Sequence, residues 1–90
     1  MAKTTITIAR EDVEFLKDYG ISPSGYANKL IRLVKEGKIK APKRRTRIEG
    51  ETIVISLMIP DELHEYVKRN GINLSALMRL GVKNLKRLLA

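Results

Sequence analysis

The residues beyond position 51 repeat the chemistry of those before it, position by position and without a gap. At a constant spacing of 51 residues, Ile8 falls on Ile59, Glu11 on Glu62, Phe15 on Tyr66, Leu16 on Val67 and Lys17 on Lys68. Gly20 falls on Gly71, Ile21 on Ile72, Ser24 on Ser75, Ile31 on Val82 and Val34 on Leu85, while Ser22 meets Asn73, another helix-capping residue. A register of matched apolar, glycine and capping positions is the mark of an internal duplication. It sets a hard condition on folding. A unit of roughly 40 residues buries too little apolar surface to offset its chain entropy, so each copy needs a partner or a staple. The chain has no Cys and one histidine, His64, which excludes disulfides and any thiolate or histidine-rich metal cluster. Each unit must therefore pack against the other, or against another chain.

Each copy reads as strand, helix, helix. Lys3-Thr4-Thr5-Ile6-Thr7-Ile8 alternates polar and apolar residues with the period of a half-buried strand. A short helix is predicted from about Arg10 to Tyr19, with Val13, Leu16 and Phe15 on its apolar side and Gly20 ending it. Ser22-Pro23 supplies an N-cap and a proline at the first helical position. Ala27, Leu30, Ile31 and Val34 then give a second helix its apolar stripe, closed by Gly37. The first unit thus spans residues 1–37 and the second 52–90, where Val82, Leu85, Leu88 and Leu89 fit a helix packed into a protein core. Residues 38–51 lack periodicity and carry Pro42, Gly50 and the Lys43-Arg44-Arg45 cluster, the composition of a linker. Its reach is roughly 20 Å as a flexible coil and over twice that when extended, enough for the halves to fold back on each other.

A lone strand leaves its backbone groups unpaired, so two units set antiparallel would form a two-stranded ribbon over four helices. The expected fold is mostly α with a short antiparallel β-ribbon: β-α-α, linker, β-α-α. Ile6, Ile8, Leu57 and Ile59 would face the helices, and Lys3, Thr5 and Thr7 would face out. The ribbon closes either within one chain, as a pseudo-dimer, or between two chains as a homodimer, with further association in either case.

The formal charge of +8 calls for a polyanionic partner. Lys35, Lys38, Lys40, Lys43, Arg44, Arg45 and Arg47 fall within thirteen residues. No apolar run approaches the roughly 18 residues that span a bilayer, and the N-terminus lacks an apolar signal core. The expected setting is soluble and cytoplasmic, with double-stranded DNA as partner and no membrane or small-molecule ligand. Charged residues make up 31% of a chain without Gln or Cys, a balance that suits a thermophilic source.

A two-stranded ribbon fits the major groove, where all four base pairs present distinct edges. On the Thr5-Ile6-Thr7-Ile8 strand, the Gly20-Ile21-Ser22-Pro23-Ser24 junction and the apolar positions of the second helix, the sequence resembles the ribbon-helix-helix family, the Arc/MetJ superfamily of transcriptional repressors. The resemblance covers about residues 2–37 and 52–89. It implies base reading by Lys3, Thr5 and Thr7, and phosphate binding at the second helix's N-terminus, by Ser22 and Ser24 and in the other unit by Asn73 and Ser75. It also suits an archaeal, bacterial or viral regulator. The second unit departs from the pattern: Val54, Ser56 and Met58 are its outward strand positions, and only Ser56 can hydrogen-bond a base edge. Lys43, Arg44, Arg45 and Arg47 are expected on the DNA backbone.

No catalytic chemistry, metal or cofactor is expected. Glu11-Asp12 and Asp61-Glu62 sit in first turns, where acids favour the helix dipole, and the six glycines read as caps and turns with no phosphate-cradling loop among them. Rival expectations are an antitoxin-like or adaptor module using the apolar second strand, and a nonspecific architectural DNA-binding protein. With the last helix expected to run almost to Ala90, little tail is left to hold a toxin.

Overall fold

Two short strands of opposite halves satisfy each other's backbone. In the computed structural model, which describes residues 1–43 and 50–89, β1 (Ala2–Ala9) and β2 (Thr52–Ile59) pair antiparallel within the one chain. β1 leads into α1 (Arg10–Asp18) and α2 (Pro23–Lys35), and β2 into α3 (Asp61–Arg69) and α4 (Leu74–Leu89). The result is mostly helical with a two-stranded ribbon, a two-fold topology of the ribbon-helix-helix kind. The register runs from Ala2 against Ile59 to Ala9 against Thr52, and Thr5 faces Ser56, its own repeat mate. The pseudo-two-fold axis relating the halves therefore passes between Thr5 and Ser56.

Period-two alternation decides which way the ribbon faces. Ile6, Ile8, Leu57 and Ile59 are buried against the helices, while Lys3, Thr5, Thr7, Val54, Ser56 and Met58 are exposed. The inward residues join Leu16, Leu30, Ile31, Leu63, Leu77, Met78 and Val82 in one core drawn from both halves. Gly20 and Gly71 end α1 and α3 with φ of +67° and +60°, which lets the chain turn back at once. The next residue then bonds to the helix: Ile21 N–H donates to Leu16 O at 2.8 Å and Ile72 N–H to Val67 O at 3.1 Å. The duplication extends to charge on aromatic rings. Lys35 Nζ lies 5.9 Å from the Tyr66 ring centre, and its mate Lys86 lies 5.5 Å from that of Phe15.

Three details correct the sequence reading. Asp12 is not merely a dipole-facing acid: it is 2% exposed, with Oδ2 3.0 Å from Arg79 Nη1 and Oδ1 3.3 Å from Lys86 Nζ. The hydrogen bond that Arg79 donates to the Asp12 carboxylate raises the pKa of its guanidinium above the ordinary value. Two glycines are neither caps nor turns, since Gly25 and Gly81 lie inside α2 and α4. Gly81 marks the place where those helices cross, because a Cβ there would sit 2.6 Å from Leu30 Cδ1. Finally, α4 buries Val82 and partly buries Leu85, but Leu88 and Leu89 are exposed at its end rather than packed in the core. Among the described residues no helix is long and apolar enough to cross a membrane.

Candidate nucleic-acid interface

The outward face of the ribbon is built by three cross-strand pairs, Lys3–Met58, Thr5–Ser56 and Thr7–Val54. Met58 fixes how close these pairs stand. Its N–H donates to Ser24 Oγ at 3.1 Å and its carbonyl accepts from Asn28 Nδ2 at 3.5 Å, so both groups point away from β1. Lys3–Met58 is therefore a non-hydrogen-bonded pair, as are the other two outward pairs at period two. Side chains of such pairs stand closer together than those of the alternate kind. The outward face is a narrow, continuous ridge of one cation, three hydroxyls and two apolar tips. It carries no carboxylate.

The same bonds hold α2 against the outer edge of β2, which an unpaired edge strand otherwise leaves open to other chains. Asn28 Oδ1, buried beside this contact, has no hydrogen-bond partner among the described residues. On the other side α4 packs along β1. The helix starts that flank the ribbon differ from those that do not. α1 and α3 open with acids, Glu11-Asp12 and Asp61-Glu62, whereas the first turns of α2 and α4 contain none. An acid in the first turn neutralises the positive end of the helix dipole; its absence leaves that end for an external anion.

Each of these two starts is capped from within. Ser22 Oγ accepts from Gly25 N–H at 3.3 Å, and Asn73 Oδ1 accepts from Ala76 N–H at 3.0 Å. Pro23 has no N–H, so Ser24 supplies the first free donor of α2, while Leu74 and Ser75 supply those of α4. Ser22 is exposed; Ser24, Asn73 and Ser75 are half-buried. The Ser24 oxygen is occupied by Met58, which leaves its hydroxyl hydrogen to donate. The linker reaches the α4 start as well. Asn73 N–H donates to Pro42 O at 3.0 Å, placing exposed Lys43 next to it. Arg44, Arg45 and Arg47, the other linker cations expected on a phosphate backbone, lie outside the described residues.

The structure thus puts Lys3, Thr5, Thr7 and Ser56 on one face and brings Lys43 to the α4 start. Sequence reasoning missed the Ser24 and Asn28 clasp on Met58 and the Pro42–Asn73 bond, which join distant residues with no local spacing to betray them. No family model, curated protein or solved structure matches the chain. What the interface binds has to be argued from its geometry.

Proposed function

We propose that the protein is a sequence-specific, double-stranded-DNA-binding transcriptional regulator, a binding protein rather than an enzyme. The ribbon enters the major groove, where Lys3, Thr5, Thr7 and Ser56 hydrogen-bond base edges. The starts of α2 and α4, through Ser22, Ser24, Asn73 and Ser75, take the flanking phosphates. Lys43, Arg44, Arg45 and Arg47 add backbone contacts that position without specifying. One observation carries this reading: the exposed, carboxylate-free ridge is flanked by α2 and α4, whose starts are, among the described residues, the two helix starts that lack acids.

Fluorescence anisotropy with duplexes selected from a random pool tests it. A selected site is expected to bind about a thousandfold or more tighter than scrambled DNA, with affinity falling steeply as salt is added. Thr5→Ala with Thr7→Ala should erode discrimination more than overall affinity. Neutralising Lys43, Arg44 and Arg45 should weaken all duplexes alike and flatten the salt dependence. Equal affinity for every duplex would overturn sequence reading and leave an architectural protein.

A further inference from the structure

The two-fold symmetry of the fold is not matched by the chemistry of its outward face. The pseudo-axis carries Thr5 onto Ser56, hydroxyl onto hydroxyl, but it carries Lys3 onto Val54 and Thr7 onto Met58. A palindromic site would present the same base edges to both members of each related pair. A cation and an isopropyl group cannot both be matched by one edge.

Val54 is 68% exposed and Met58 42%. The core does not need them, because Leu57 and Ile59 already fill the inner face and Ile53 and Ile55 are half-buried. Nor do they form a patch that would seat a protein. They stand four strand positions apart, roughly 13 Å at about 3.3 Å per residue, with Ser56 between them and Thr7 and Lys3 across. Isolated apolar tips on a ridge that holds Lys3 and no carboxylate suit a polyanion that offers isolated methyl groups. In the major groove the one apolar group is the C5-methyl of a 5-methylpyrimidine, which in unmodified DNA is thymine.

We propose, building on the DNA-binding reading, that Val54 and Met58 are specificity residues that contact two thymine methyl groups, and that the target is non-palindromic. In the two outer pairs, Lys3–Met58 and Thr7–Val54, β1 reads hydrogen-bonding edges while β2 reads methyls. At 3.4 Å of rise per base pair along a tilted groove, the two thymines stand roughly three to four base pairs apart.

The experiment selects a high-affinity duplex with the full chain and then replaces its thymines one at a time by deoxyuridine, which keeps every hydrogen-bonding group and removes only the methyl. Loss of about fourfold is expected at two positions, the worth of burying one methyl-sized group, and little at the rest. Val54→Ser should abolish the penalty at one of these positions and Met58→Ser at the other; both residues are exposed, so the variants keep the wild-type helical signal. A palindromic site, indifference to uracil throughout, or penalties that survive both substitutions would overturn the proposal. So would a dimer of the free protein in light scattering that Val54→Ser dissolves, since the face would then belong to a second copy. Failure to select any site, with all duplexes bound alike, would fell the base-reading function itself and this proposal with it.

Discussion

Asp12 brings a carboxylate to a place where its repeat mate, Leu63, brings a buried aliphatic side chain. The partners differ to match, because Arg79 and Lys86 face Asp12 while Asn28 and Lys35 occupy the related positions beyond Leu63. Removing one member of a buried pair strands the other, but Arg79 and Lys86 keep 27% and 38% of their side-chain surface and can recover water. Asp12→Ala is therefore expected to cost about 2–3 kcal/mol by denaturant unfolding, cavity included. Asp12→Leu, which copies the other half, should cost about 1 kcal/mol or less; equal costs would mean that the ion pair, not the packing, dominates the site. Tyr26 allows a second check. Its hydroxyl donates to Gly81 O at 2.7 Å, and burial raises its pKa above the ordinary 10.0. A raised folded pKa means that this contribution is intact below pH 10 and is lost as pH climbs through the folded value. Unfolding free energy should fall over that alkaline window, and Tyr26→Phe, at a cost of about 1 kcal/mol near neutrality, should make the fall shallower.

At the level of elements, the α2–α4 crossing is tighter than any sequence pattern announces. Gly81 sits mid-helix, where Ala would be favoured by about 1 kcal/mol on propensity alone. Its Cβ position, however, lies 2.6 Å and 2.9 Å from the two methyls of buried Leu30 and 3.1 Å from Tyr26 Cε2. Overpacking wins, and Gly81→Ala should destabilise by about 1–2 kcal/mol. Combined with Leu30→Ala it should cost clearly less than the two single changes added, a coupling that a double-mutant cycle measures directly. Additive costs would place the clash elsewhere. The strands, the helices and the outward face were legible in the sequence because each rests on local periodicity, a cap or a glycine turn, and the repeat doubled every signal. Asp12, the Met58 clasp and the Gly81 contact were not, because their partners come from the other half. An acid in a first turn and a glycine within a chain each had an adequate local explanation, so nothing in the spacing asked for a distant one.

For the whole molecule, these same contacts decide which halves belong together. Leu30 and Gly81 are repeat mates that meet at the crossing, a large residue against a missing side chain. Pairing two first halves would set Leu30 against Leu30 where even one added methyl finds no room, and would face Asp12 with Asn28 instead of Arg79. Pairing two second halves would set Gly81 against Gly81 over a void and leave Leu63 opposite Arg79. The covalent tether adds to this preference, since a short linker holds the halves at an effective concentration of about millimolar. Separate peptides covering residues 1–43 and 50–90 remove the tether and keep the preference. Each alone is expected to show little helix, because roughly 40 residues cannot bury a sufficient core. Mixed in equal amounts they should regain helical circular dichroism as a one-to-one complex in native mass spectrometry. Melting of that complex should rise with concentration, whereas melting of the intact chain should not. Like-with-like dimers as stable as the mixed pair would mean that the unequal contacts at Asp12 and Gly81 carry no pairing information, and that the linker alone chooses the partner.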